Sequence, residues 1–486
     1  MSVEYLVAWI TPLLLGSGLV ALLGGRPRTP AGYAQTLGCG FVLGALLCAV
    51  AVAIPGRIDV SRIVPGIAPI LLALGIGAWA WALMRSRLFF PRELAEPRLH
   101  PLLWILVALL AVHAWLMADE ILLRPMYPWD AWAAWLLKPK AWMLAGHLDR
   151  FVGFDEWLAD ATGTMRTAQT WNYPEALGRL AVWFASAWGE WDSGAVGAVW
   201  LALWLALLAG CYGQLRALHL QRDRSIAAVY ALGSLPLINV HVALAGYADL
   251  WIATLIAFSC LSWMRWLESG ERGQLVLAVL FAAMLPLVKL EGSVWLLILG
   301  GTMLYARMSL RLRRAALVMA PIIGGGVVVA YLLRWPLIAP ALDRIGLTSD
   351  THVLLAHAPA VIGAAADGLF SQYNWHLFWF AVVLTLLMRL GELRRSPPLR
   401  FLGLFLLLGC AFLFALFVLT PAGKWAESYT AVNRLSLQIV PAMLVFAALL
   451  WRDPQAVDVS ASDDARMAQA AGNRAIIRLH SPNTGR

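Results

Sequence analysis

A cation and an anion stand two residues apart, Lys289 and Glu291, in the otherwise apolar stretch LPLVKLEGSVWLL. A charge at the centre of a membrane span costs roughly 2.5–3.5 kcal/mol on insertion scales, so both groups should face protein or water. Residues two apart on a helix do not face each other, so the pair is not a simple intrahelical ion pair, and Gly292 marks a tight turn. Two readings follow: an ordinary hairpin loop whose side chains snorkel outward, or a charged turn sunk into a cavity. Asp249, in GYADLWIATL, is either the acidic first turn of a helix or a site carboxylate. Asp130, in Pro128-Trp129-Asp130-Ala131-Trp132, is either a helix cap or an acid that its aromatic neighbours hold partly out of water. Arg434, in YTAVNRLSLQIVP, is either an interfacial anchor or a phosphate ligand. A positioned carboxylate can take a proton from an attacking hydroxyl, and a lysine or arginine can hold a phosphate.

The use of lysine sharpens this. Of 37 basic residues only four are Lys: Lys138, Lys140, Lys289 and Lys424. An ammonium is a compact point charge suited to phosphate, so Lys289, and with it Lys138 and Lys140, are candidate ligands of a lipid phosphate or an acidic substrate. His352, His357 and His376 have no metal-ligand spacing. The five cysteines (Cys39, Cys48, Cys211, Cys260, Cys410) lie inside apolar stretches with no CxxC pair, which suits small core residues rather than a disulfide or zinc site.

The elements that position these groups are set by composition: 61% hydrophobic and 13% charged residues in a chain of 486 do not describe a soluble domain. The reading is an all-α integral membrane protein. Apolar runs long enough to span occur near 5–24, 32–54, 64–84, 101–122, 194–215, 226–245, 248–266, 274–289, 292–307, 315–335, 376–393, 401–420 and 436–451, giving thirteen expected helices. The first, Tyr5–Leu23, is followed by no A-x-A site and is kept as a helix rather than a signal peptide. Alternate connections carry arginine clusters: Arg26 and Arg28; Arg85, Arg87, Arg92 and Arg98; Arg216, Arg222 and Arg224; Arg265 and Arg272; Arg307, Arg311, Arg313 and Arg314; Arg389, Arg394, Arg395 and Arg400. The positive-inside rule places these in the cytoplasm, with the N-terminus and all four lysines outside. The net charge of +9 is then mostly topology and argues against nucleic-acid binding. Residues 1–451 read as one polytopic domain, and 452–486, rich in Asp, Ser, Ala, Asn and Gly, as a disordered cytoplasmic tail.

Two outer segments are long, 119–193 and 335–375, and long loops in compact proteins usually carry function. The first holds nine tryptophans, a residue that favours the headgroup level of a bilayer. Within it Asn172-Tyr173-Pro174-Glu175 resembles a capped helix start, followed by Leu177, Leu180, Ala181, Phe184 and Trp188 at helical spacing. That pattern predicts an amphipathic interfacial helix, and Trp132, Trp135, Leu136 and Trp142 predict a second, interrupted at Pro139.

Taken in order, WDAWAAWLLKPKAW, NYPEAL, GYADL, LVKLEG and NRLSLQIVP resemble the bacterial GT-C glycosyltransferases, the superfamily that includes protein O-mannosyltransferases and lipid A aminoarabinose transferase. The resemblance covers roughly Asp119 to Leu450. It implies a bacterial inner-membrane enzyme that moves a sugar from a polyprenyl phosphate to a hydroxyl on a glycan, lipid or protein, on the periplasmic side. It also implies a catalytic Asp in a large outer loop, which maps onto Asp130, with the Asp119-Glu120 pair as competitor. The remaining candidates, Lys138, Lys140, Asp249, Lys289, Glu291 and Arg434, would bind the substrate and lipid phosphate; no metal is required. In familiar members the acidic loop follows the first helix, whereas here it follows the fourth, which implies an N-terminal addition of three helices or a divergent branch. A polysaccharide polymerase or ligase, and a flippase, are the rival functions. A flippase would carry charges through several spans and two related halves, neither of which is visible in the sequence.

Overall fold

The computed structural model describes residues 2–84, 100–316, 318, 319, 322, 333 and 351–453, the side chains of 351–355 excepted. The Arg85–Arg98 cluster, most of the expected span 315–335, the first part of the outer segment 335–375 and the tail beyond residue 453 lie outside the described residues.

The chain is built from helices. They are α1 (Val3–Gly24), α2 (Pro30–Ala51), α3 (Ile63–Met84), α4 (Pro101–Leu123), α5 (Leu137–Ala145), α6 (Phe154–Leu158), α7 (Ala176–Trp188), α8 (Ser193–Ala217), α9 (Arg222–Gly233), α10 (Pro236–Ala243), α11 (Asp249–Ser269), α12 (Arg272–Val288) and α13 (Glu291–Arg307). Beyond these come α14 (Thr351–Phe370), α15 (Phe378–Arg389), α16 (Pro397–Leu419) and α17 (Val440–Leu449). A two-residue parallel ladder, Phe151–Val152 with Arg166–Thr167, ties the large loop to itself.

Among the described residues, seven helices are long and apolar enough to cross a membrane: α1, α2, α3 with the turn before it, α4, α8, α11 and α16. They stand where the sequence places spans. An eighth is present if α9 and α10, bent by 59° at their break, form one span. Pro236 opens the second half of that pair and has no N–H to give the turn before it, so the ladder breaks there. Thirteen full spans are not what the described residues contain. The expected helices 274–289, 292–307, 376–393 and 436–451 are α12, α13, α15 and α17, of 17, 17, 12 and 10 residues.

Burial orders the bundle. α11 is central, with 89% of its apolar window buried, whereas α4 is peripheral, with 11%. α1 packs on α2 and α3, α2 on α8, and α11 on α12. The α1–α2 contact is backbone against backbone: a Cβ on Gly16 would lie 1.8 Å from the Gly40 carbonyl oxygen, and one on Gly44 1.8 Å from that of Pro12. α11, α12 and α13 follow one another through short connections and run up and down. Their Arg-bearing ends (Arg265, Arg272, Arg307) therefore lie at one end of the bundle, and Asp249, Lys289 and Glu291 at the other.

Three local expectations are corrected. α7 begins at Ala176, after Glu175 rather than Asn172, and is buried along almost its whole length. Its faces are covered by protein: α1, α2 and α5 pack on it, and the Trp183 indole donates to the Ala8 carbonyl at 3.0 Å. The stripe after Asp130 is a single π-helical turn, Ala131–Trp135, followed by α5; Trp135, Leu136 and Trp142 are buried while Trp132 is exposed. The outer segment 335–375 is not a loop throughout, because α14 occupies 351–370 and packs on α16 and on the helical turn Gly423–Glu427.

Candidate functional site

At the end of the bundle away from those arginines, five charged side chains from four distant segments form one chain of ion pairs. Asp249, the first residue of α11, is fully buried. Its carboxylate accepts from Lys289 Nζ at 2.8 Å, from Gln438 Nε2 at 2.6 Å and from Arg434 Nη2 at 3.2 Å. Lys289 also pairs with Glu291 at 3.2 Å, and Arg434 Nη1 donates to Asp130. Neither Asp130 nor Asp249 caps its own helix with its side chain; each carboxylate is turned to side chains from other segments.

Local backbone features create the convergence. Lys289 ends α12 in an extended conformation (φ −152°, ψ 152°), so the chain turns and Glu291 can start α13 beside it. A Cβ on Gly292 would lie 2.0 Å from the Leu285 carbonyl oxygen, so glycine alone lets this turn close against α12. Gly246 has φ +110°, and a Cβ there would lie 2.5 Å from that of Ala131, which lets the loop before Asp249 lie against the turn bearing Asp130. Arg434 and Gln438 come from a helix that breaks before α17: Val432–Leu437 is a short helical piece, and the break aims Gln438 at Asp249. Trp295 of α13 donates to Gln438 Oε1 and fixes which end of the amide faces the carboxylate.

Exposure grades along the chain. Asp249 and Lys289 are 0% and 7% exposed, whereas Asp130, Arg434 and Glu291 are 37%, 28% and 36% exposed. A buried ion pair costs much desolvation and persists when its remaining donors and acceptors are also satisfied, which Gln438 does here. Three carboxylates against two cations leave one negative charge in excess. Arg434 also lies 4.7 Å over the Tyr247 ring, and its Nε is buried without a hydrogen-bond partner. Burial raises the Tyr247 and Tyr173 phenols, and Tyr173 lies within electrostatic reach of Glu291, Lys289, Asp130 and Arg434.

Lys138 and Lys140 stand apart from this chain. Lys138 is buried and donates to the Trp171 and Tyr173 carbonyls at 2.7 and 3.1 Å, with Glu175 at 4.0 Å. Burial holds its ammonium below the usual lysine range. It ties the 171–173 turn to α5 and so holds Tyr173 toward the cluster. Lys138→Met is expected to speed amide hydrogen exchange through residues 171–175 while leaving exchange around Asp249 unchanged. Lys140 is exposed on the same helix, and Lys424 lies exposed 5.5 Å over Trp425. Glu120 pairs with Arg124 at 3.1 Å, and Asp119 is exposed on the last turn of α4.

Sequence reasoning did not find Gln438, Trp295, Tyr247, Tyr173 or His241. His241 is buried, its Nδ1 is 2.8 Å from the Leu237 carbonyl oxygen, its Nε2 has no partner, and its ring is 5.1 Å from Tyr247. An ionisable residue in an apolar helix was the available signal. Among the described residues no group of three or more His, Cys, Asp or Glu side chains is arranged to hold a metal ion. No family model, curated protein or solved structure matches this chain.

Proposed function

We propose that the protein is a membrane glycosyltransferase of GT-C type, with about thirteen spans and its site on the periplasmic side of a bacterial inner membrane. It moves a sugar from a polyprenyl phosphate to a hydroxyl of a glycan, lipid or protein, with inversion. The observation that supports this reading is the graded ion-pair chain: a buried foundation, Asp249 with Lys289 and Gln438, carrying an exposed rim of Asp130, Arg434 and Glu291.

In this scheme Asp130 is the general base. It takes the acceptor hydroxyl proton as the new bond to the sugar's anomeric carbon forms and the bond from that carbon to the phosphate oxygen breaks. The electron pair of the broken bond leaves with the polyprenyl phosphate, where negative charge grows, and Arg434 stabilises it there. Asp249 and Lys289 are too enclosed to meet the sugar; they hold Arg434 at its angle. Glu291, more exposed, orients sugar hydroxyls. Tyr173 and Tyr247 wall the site.

The test supplies membranes containing the protein with defined polyprenyl-phosphate sugars carrying a label. The expected products are labelled acceptor of inverted anomeric configuration and free polyprenyl phosphate. Absence of transfer with every such donor, in membranes where the protein is folded, would end this reading.

A further inference from the structure

Arg434 has three engaged sides, and only one can be given up cheaply. Its inner nitrogen meets Asp249, which is fully buried and held by two further donors; its face lies on Tyr247; its outer nitrogen holds Asp130. Asp130 is the exposed partner of this pair and belongs to a short turn between Trp129 and Trp132, both exposed, with rings 4.6 Å apart. The cluster already carries an excess negative charge, so a phosphate that reaches Arg434 meets like charge on Asp130 and competes with it for the same guanidinium.

Resting on the transferase reading, we infer that the Asp130–Arg434 ion pair is a latch: Asp130 sits on the guanidinium where a phosphate would bind, and a phosphate ester on an apolar chain displaces it. The base is thus neutralised by the cation until the donor arrives. Donor binding frees the carboxylate and loosens the turn 129–136 in the same step, so donor precedes acceptor. The ligand chemistry is a phosphate monoester or diester; the apolar chain supplies affinity, and the phosphate opens the latch.

The full-length protein, purified in detergent, is titrated with farnesyl phosphate, inorganic phosphate and farnesol, as wild type, Asp130→Asn and Glu120→Gln. Amide hydrogen exchange is followed over residues 129–136. Asp130→Asn is expected to bind farnesyl phosphate roughly three- to tenfold more tightly than wild type, the scale of a partly exposed ion pair plus a removed like charge. Farnesol binding and the Glu120→Gln variant are expected not to change. Farnesyl phosphate should speed exchange through 129–136 in wild type, whereas in Asp130→Asn exchange is fast before any ligand is added. If inorganic phosphate does the same at higher concentration, the headgroup alone opens the latch. Equal or weaker binding by Asp130→Asn, where wild type binds, overturns the latch and leaves the transferase reading intact. Tighter binding with no change in exchange assigns the effect to charge alone and also overturns it. If neither phosphate binds wild type or variant, the phosphate site falls, and the transferase reading with it.

Discussion

Asp249→Ala is expected to cost the folded protein about 3–5 kcal/mol, the scale for removing one partner of a buried ion pair. The reason lies in what the substitution abandons. Lys289 and the Gln438 amide are both buried and both direct their donors at this carboxylate, so its loss leaves a cation and an amide without the acceptor they were buried with. The loss should appear as a lowered melting temperature of the detergent-solubilised protein. Lys289→Met should be damaging too, because the buried Asp249 charge is left with only Arg434 and the Gln438 amide, and Glu291 loses its cation. The pair Asp249→Asn with Lys289→Met should recover part of the loss, since both charges leave together and the amide can still accept from Gln438. Wild-type melting of Asp249→Ala would mean that water reaches this carboxylate and that the cluster is not closed.

Asp130→Asn should behave in the opposite way. Its pair with Arg434 is partly exposed, and such pairs contribute about 0–1 kcal/mol, so the melting temperature should hardly move. Transfer, in contrast, is expected to fall by about 10²–10⁴-fold, the usual contribution of a positioned general base. The measurement is initial-rate transfer from a polyprenyl-phosphate sugar by membranes carrying equal amounts of folded protein. Turnover at the wild-type rate would remove Asp130 from the chemistry and return attention to the remaining rim acid, Glu291. Two aspartates on the same arginine thus divide into a structural and a chemical prediction, and burial alone makes the division.

Much of this arrangement is legible in the sequence, for a reason that also explains what is not. Transfer from water to a bilayer depends on a segment's own composition, so the long spans stand where the apolar runs stand, and the charges that break those runs are conspicuous. Asp130, Asp249, Lys289, Glu291 and Arg434 declare themselves this way. What depends on a partner elsewhere in the chain does not. Gln438 is an uncharged amide at a helix break and Trp295 an indole in an apolar helix; their roles exist only because that break and the turn before α13 bring Gln438 to Asp249 and Trp295 to Gln438. α7 carries the pattern of an interfacial helix, and α1, α2 and α5 cover the apolar face that a lone helix would bury in lipid. Lys138 looked like a phosphate ligand by its charge and its side of the membrane; its neighbourhood supplies two carbonyls that take its ammonium. α14 is apolar but punctuated by His352, His357, Pro359 and Asp367, so it does not read as an uninterrupted span, and its partner α16 supplies the apolar surface on which Val361 is buried.

The glycine contact between α1 and α2 bears on how such a chain comes together during synthesis. Apolar side chains gain little by leaving lipid for protein, so helices in a bilayer associate through close backbone fit. α1 and α2 are separated by only residues 25–29, and their fit needs nothing from later in the chain. The hairpin can therefore form as soon as both helices have been inserted, while α8 is still unmade. α8 then docks through a second set of close approaches, Gly38 against Ala206 and Gly213 against Ala31, and so adds to a surface already in place. The ion-pair chain, in contrast, draws its members from residues 130, 249, 289, 291 and 434, and so cannot close before Arg434 itself has been made.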